Sequence, residues 1–168
     1  TYVATFEFGY ETDSLDATGS VVKTNKEIPT QSQIEQVLPK FIGKISQIPP
    51  LFSAKSVNGV RAYEMARRGE TFELKPKQVE VCDIKLIDYS NNILKLEIVC
   101  GSGTYIRSIG RDIAYELNTS ATMTELIRTK VDKFSVENCV EIEDITKDNI
   151  YENVSALNEV LDYPVLDL

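Results

Sequence analysis

The first apolar pattern in the chain has period two. Tyr2-Val-Ala-Thr-Phe-Glu-Phe8 alternates as a half-buried strand does. Residues 9–19 are polar and rich in turn formers, which predicts a loop, and Val21-Val22 reads as a short returning strand. The period then changes to three and four. Ile34, Val37, Leu38 and Phe41 follow Thr30, a suitable N-cap, so a helix is expected that closes at Gly43. Pro49-Pro50 forbids regular structure, Leu51 to Val57 looks extended, and a short helix through Ala62, Tyr63 and Ala66 ends at Gly69. Val79 to Ile87 and Ile93 to Cys100 read as two strands, with Asn91-Asn92 placed for a tight hairpin turn. Gly101-Ser102-Gly103 breaks the second strand. Ile106, Ile109, Ile113 and Leu117 then predict a helix over about 104–117. Met123 to Val136 is extended again, and an acidic helix is expected after Glu141. The order of elements is α+β, one sheet with helices packed on it.

Composition narrows the chemistry more than the fold. A chain of 168 residues, 42% hydrophobic, can bury one ordinary core. It contains no His, which removes Ser-His-Asp triads, Cys-His nucleophiles, His-containing zinc sites and imidazole bases together. Cys82, Cys100 and Cys139 are odd in number and form no C-x-x-C. They predict a reduced, cytoplasmic protein with its cysteines in or near the core. No apolar run is long enough to span a membrane as a helix. The chain opens Thr-Tyr-Val-Ala, without Met or a signal-like segment, so more protein is expected upstream.

The formal charge of −8 is unevenly placed. Residues 137–168 hold nine acids and one base, Lys147, which leaves residues 1–136 neutral. Within that body, residues 53–77 carry six cations against Glu64, Glu70 and Glu73. Charge alone reads this stretch as a solvated helix face. Lys55, Tyr63, Arg67 and Arg68 nevertheless put cations and a ring into one Pro-flanked excursion, a combination that suits RNA.

Gly101-Ser102-Gly103-Thr104 lies between a strand and a helix, where backbone amides can hold phosphate. A dinucleotide fingerprint would need Gly at 106, where Ile stands, so the motif alone is a tight turn. Tyr105 and Arg107 follow, two apart at the helix start. An Arg there opposes the helix dipole, and a facing carboxylate or phosphate would account for it. Asp13 and Asp16 are either a carboxylate pair for acid–base work or ordinary turn residues, and turn chemistry is the simpler reading. Asp112 reads as structural surface.

Gly103-Thr104-Tyr105-Ile106-Arg107-Ser108, with the Leu126-Ile127-Arg128-Thr129 strand behind it, resembles the tRNA pseudouridine synthase B (TruB) family. Three further stretches agree in order and spacing. They are Tyr2 with Thr12-Asp13-Ser14-Leu15-Asp16-Ala17-Thr18-Gly19, then Gln47 to Lys55, then Gly59 to Gly69. The resemblance covers residues 2 to about 136. It implies a pseudouridine-synthase-like α+β domain over 1–136, with a mixed, largely antiparallel sheet, followed by an acidic segment over 137–168. It also implies a monomer that isomerises a T-loop uridine of tRNA with no cofactor, metal or membrane, flipping the uridine out of its stack first. Carried over residue by residue, Arg107 would pair with an aspartate nucleophile, keeping it ionised and aimed. Tyr2 would lie against the flipped base and serve proton transfer. Tyr105 would line the pocket and Leu126 would close its apolar floor. Lys55, Tyr63, Arg67 and Arg68 would grip the RNA arm.

One departure stands out. The family nucleophile belongs to a Gly-x-Leu-Asp-Pro type loop upstream of the Tyr2 strand, and this chain contains no Leu-Asp-Pro. The expectation is therefore the central part of a catalytic domain, inactive alone. A non-catalytic RNA-binding module of the same fold, or a protein-interaction domain in which Tyr105 and Arg107 are structural, are the alternatives.

Overall fold

The computed structural model describes residues 1–53, 56–57, 60–69, 72 and 74–155. Its strand and helix order begins with β1 (Tyr2–Phe8), the small hairpin β2 (Tyr10–Thr12) and β3 (Val21–Thr24), and α1 (Gln31–Val37). It continues through β4 (Gly43–Gln47), β5 (Ser56–Val57), β6 (Val60–Arg61) and α2 (Ala62–Arg67). Then come β7 (Lys77–Ser90), β8 (Ile93–Cys100), α3 (Ile106–Glu116), β9 (Ala121–Arg128), β10 (Lys130–Val131) and β11 (Phe134–Ser135). The chain forms two units, Thr1–Ile127 and Arg128–Leu168.

The first unit is built on a five-stranded sheet in the order β4-β7-β8-β1-β9. Alternation selects its buried face. Ala4, Phe6 and Phe8 of β1 and Leu94, Leu96 and Ile98 of β8 are buried, and Ala4 pairs with Leu96 and Phe6 with Leu94. Helix α3 packs on that face through Ile106, Ile109, Ile113 and Ala114. Gly110 lets the helix approach the sheet. A Cβ there would lie 2.2 Å from the Phe6 ring, so this turn of α3 can rest against β1 only without a side chain. Asn91 and Asn92 take φ of 49° and 62° to turn β7 into β8, as their side chains allow. The sheet is largely antiparallel and the fold α+β.

Several expectations are corrected in detail. The 31–41 segment is α-helical only to Val37, because Pro39 supplies no amide and Leu38–Phe41 tightens to a 3-10 turn. Thr30 does cap it, in a capping box with Gln33. Residues 43–47 form edge strand β4, which the pattern did not announce. Cys82 and Cys139 are exposed rather than core. Cys82 falls where the β7–β8 register shifts between Val81 and Asp83, so a bulge turns it outward.

In the second unit, β10 and β11 form a hairpin and Ile142–Asp144 and Ile150–Asn153 are 3-10 turns. The acidic helix expected after Glu141 does not form among the described residues. Thr146 N–H donates to Asn149 Oδ1 at 2.7 Å and Asn149 Nδ2 to the Asp144 carbonyl at 2.9 Å, local bonds that compete with helix bonds. Residues 156–168 lie outside the described residues.

Candidate active site

Three segments distant in sequence meet at the start of α3. Arg107 is the second residue of that helix, and its guanidinium faces back toward the turn. Nη1 donates to the Ser14 carbonyl at 2.7 Å and to Asp16 Oδ2 at 2.8 Å, and Nη2 donates to the Phe52 carbonyl at 3.0 Å. Both members of the ion pair are mostly buried, with side chains 21% and 22% exposed. The facing carboxylate that an Arg at a helix N-terminus calls for is therefore present in this chain.

The 13–19 loop is held in place independently of Arg107. Leu15 adopts φ 63°, and the loop attaches to the free edge of β9, where Met123 N–H donates to the Leu15 carbonyl and Ala17 N–H to the Met123 carbonyl. Asp16 sits between those bonds. Its Oδ1 accepts from Ser14 Oγ at 2.8 Å, Thr18 Oγ1 at 2.5 Å and Thr18 N–H at 3.1 Å. Burial by itself raises the Asp16 pKa. The hydrogen bonds from Thr18 and Ser14, together with the Arg107 charge, outweigh burial and hold the carboxyl below its usual value.

A depressed carboxylate pKa contributes stability that is fully present above the unfolded value, about 3.9, and is lost as pH falls through the lower folded value. Urea unfolding of the chain and of Asp16→Asn across about pH 2–7 checks this. The variant is expected to be less stable near neutrality, with the gap closing below about pH 4. A gap independent of pH would mean that the Asp16 charge does not contribute.

Tyr105 is fixed by a side chain from another strand end. Gln47, 1% exposed at the end of β4, accepts from Tyr105 N–H at 2.9 Å and donates to the Tyr105 carbonyl at 3.2 Å. One amide thus satisfies both backbone groups of the residue that opens the helix. Ser108 Oγ and Arg111 Nη2 both donate to the Ile48 carbonyl, at 3.0 and 2.9 Å. Residues 47–52 are thereby pinned along the first turns of α3, and Tyr63 N–H of α2 bonds to the Ser53 carbonyl at 3.1 Å. The excursion that follows is thus anchored at the Arg107 cluster.

The other sequence-predicted residues lie on the sheet or the excursion. Tyr2 opens β1 opposite Ile98 and packs partly buried against the core. Leu126 is 43% exposed on β9. Arg67 stacks over the Tyr63 ring at 5.6 Å, and Arg67 and Arg68 are exposed on and just after α2. Lys55 lies outside the described residues.

From sequence Asp16 was weighed only as a turn residue or a pair with Asp13, not as the partner of Arg107, and Ser14, Gln47 and the Phe52 carbonyl were not assigned to this site. The unexplained charge of Arg107 was the signal that a facing carboxylate or phosphate was needed, without indicating which. Among the described residues no three His, Cys, Asp or Glu side chains cluster to hold a metal, and no helix is long and apolar enough to cross a membrane.

A guanidinium has five N–H donors. Three are used here, which leaves Nε–H and one Nη2–H without an acceptor among the described residues. The cluster can therefore hold a second anion beside Asp16.

Residues 1–106 match the N-terminal domain model of TruB family pseudouridylate synthases, and residues 107–167 match the C-terminal domain model of tRNA pseudouridylate synthase B. The tRNA pseudouridine synthase B of Rickettsia akari (strain Hartford) is 42% identical over 167 residues, covering 96% of this chain and 57% of the relative. That of Borreliella afzelii (strain PKo) is 45% identical over 148 residues, covering 87% and 52%. The chain thus spans about half the length of the curated relatives it matches.

Among solved structures, a Cbf5–Nop10–Gar1 complex aligns with a TM-score of 0.60 at 24% identity, over 85% of this chain and 33% of the other. An H/ACA RNP bound to a substrate RNA containing 2'-deoxyuridine gives 0.56 at 20%, over 85% and 32%. These two likenesses concern the fold. Sheet, helix and Arg107 turn fall within a sequence that two family models cover almost end to end, and the chain belongs to the TruB family of pseudouridylate synthases.

Proposed function

We propose that this chain forms the substrate-holding part of a tRNA pseudouridine synthase acting on a T-loop uridine, with the nucleophilic aspartate supplied by a loop that precedes Tyr2 in the whole enzyme. The observation that carries the reading is Arg107, largely buried, fixed by three segments and keeping two donors for another anion. A second carboxylate on those donors is held ionised and aimed, as a nucleophile requires.

The reaction needs nothing beyond the substrate. The C1′–N1 bond breaks, the base turns, a C1′–C5 bond forms, the C5 proton leaves and N1 gains one. Atoms balance without a cofactor. Flipping the uridine from its stack gives the reacting atoms access to the pocket. Tyr2 lies against the base and serves the proton transfer, Tyr105 lines the pocket beside Arg107, and Leu126 closes an apolar floor that limits water. Asp16 is a positioning residue that acts through Arg107.

Lys55, Tyr63, Arg67 and Arg68 hold the RNA arm, the cations through phosphates. The Arg67→Ala, Arg68→Ala double variant is expected to weaken T-arm RNA binding and to flatten the dependence of log K on log salt by about 1.5–2. Filter binding at several salt concentrations measures it. An unchanged slope would remove both residues from the RNA contact.

The reaction itself is tested by release of tritium from C5-labelled uridine in T-arm RNA, because pseudouridine formation must displace that hydrogen. Release by the enzyme that joins this chain to its preceding Asp loop supports the reading. RNA binding without release would favour a non-catalytic module of the same fold.

A further inference from the structure

Two arginines stand one turn apart on α3, and both hold backbone of the same segment. Arg107 Nη2 donates to the Phe52 carbonyl at 3.0 Å, and Arg111 Nη2 donates to the Ile48 carbonyl at 2.9 Å. Residues four apart share a helix face, so the two guanidiniums meet carbonyls that are themselves four residues apart. Ser108 Oγ also donates to the Ile48 carbonyl, at 3.0 Å.

The chain between those carbonyls has little of its own to fix it. Pro49 and Pro50 have no N–H to donate. Ser53 N–H reaches back only to the Leu51 carbonyl, at 3.0 Å. Of residues 48–51 only the two prolines are buried. The path from Ile48 to Phe52 is therefore set by the α3 side chains that take its carbonyls.

That path matters at Arg107. Its contacts with the Ser14 carbonyl and Asp16 are both made by Nη1. Among the described residues the Phe52 carbonyl alone fixes Nη2. Without it the guanidinium is held at one nitrogen and can swing about that point.

Local stability does not account for Arg111. Its side chain is 13% exposed, and its carboxylate partner is the next residue on the same helix, with Nε and Nη2 both 2.8 Å from Asp112 Oδ1. A desolvated ion pair is often no more stable than apolar packing of the same volume. What the pair adds is direction, because Asp112 orients the guanidinium and Nη2 reaches on to the Ile48 carbonyl.

We infer that Arg111 is a positioning residue of the reaction. It fixes Ile48 to Phe52 on α3, so that the Phe52 carbonyl holds Nη2 of Arg107 and the two remaining donors stay aimed at the nucleophile. This rests on the reading of Arg107 as the group that holds the nucleophile.

Two readouts separate this role from a contribution to stability. The first is NMR of residues 1–168 isotope-labelled at arginine nitrogen, in which the Arg107 Hη resonances, assigned by their loss in Arg107→Ala, report whether both arms are held. Arg111→Met with Asp112→Asn removes the clamp without stranding a carboxylate. Arg111→Lys keeps a cation beside Asp112 but loses the planar fork, and serves as the second variant should the first fold poorly. Each is expected to shift and broaden the Arg107 Nη2 resonances while the circular dichroism spectrum is kept.

The second readout is single-turnover tritium release by the enzyme that carries the nucleophile loop. Arg111→Met with Asp112→Asn is expected to slow it by about 10–10²-fold, with T-arm RNA affinity within about threefold. In an Arg107→Ala background the same change is expected to cost less than about twofold, because it acts through Arg107. Arg107 resonances unchanged in both variants, or an equal loss of rate with and without Arg107, overturns the proposal and leaves the nucleophile reading standing. A rate unaffected by Arg107→Ala itself overturns the nucleophile reading, and this proposal with it.

Discussion

Arg107→Ala is expected to lower pseudouridine formation by about 10²–10³-fold in the enzyme that carries the nucleophile loop, while T-arm RNA affinity changes little. The split follows from where the side chain sits. In the proposed enzyme its donors serve Asp16, two backbone carbonyls and the nucleophile, and the RNA phosphates are gripped on the excursion instead. Arg107→Lys keeps the charge but loses the planar fork that reaches Ser14, Asp16 and Phe52 together, so it should recover little activity. Single-turnover tritium release together with filter binding separates the two effects. Turnover within a few-fold of the parent would mean that Arg107 does not hold the nucleophile.

The second large effect is expected at Gln47. Gln47→Leu preserves volume but strands both the N–H and the carbonyl of Tyr105 beside a buried apolar side chain. Each unpaired group costs about 1–3 kcal/mol, so a loss of about 2–6 kcal/mol in urea unfolding is expected for the two. The damage should reach function as well, because Gln47 fixes the residue at which α3 begins and hence the aim of Arg107. Gln47→Glu keeps an acceptor for Tyr105 N–H but buries a charge and turns an oxygen onto the Tyr105 carbonyl, so at neutral pH it is expected to lose at least as much as Gln47→Leu. Equal stability of Gln47→Leu and the parent would show that water replaces the amide there.

Such pairings explain what could be read before the structure was known. Tyr2–Phe8, the Asn91-Asn92 turn, the Thr30 cap and the α3 stripe announce themselves, because each depends on residues within a few positions of one another. Strand β4 is different. Gly43-Lys-Ile-Ser-Gln47 has one large apolar residue, Ile45, and it is an edge strand whose order comes from pairing with β7. Its best-buried side chain is a glutamine, which no hydrophobic pattern selects.

The site was half legible for the same reason. Arg107 stood out because it opposes the dipole of its own helix, a local contradiction. Its partner Asp16 lies 91 residues away in a loop whose Asp, Ser, Thr and Gly content is that of any turn. Only attachment of that loop to β9 brings the two together. Family resemblance supplied the expectation of a carboxylate at Arg107, and the fold places Asp16 there, with donors left for one more.

C5-tritium release from T-arm RNA is the decisive assay, run on residues 1–168 beside the same chain extended by the proposed Asp loop. Release by the extended protein and none by residues 1–168 is expected, with both binding the RNA. Release by residues 1–168 alone would contradict it, because a working nucleophile would then lie within this chain, and Asp16 and Asp13 would be the carboxylates to change first.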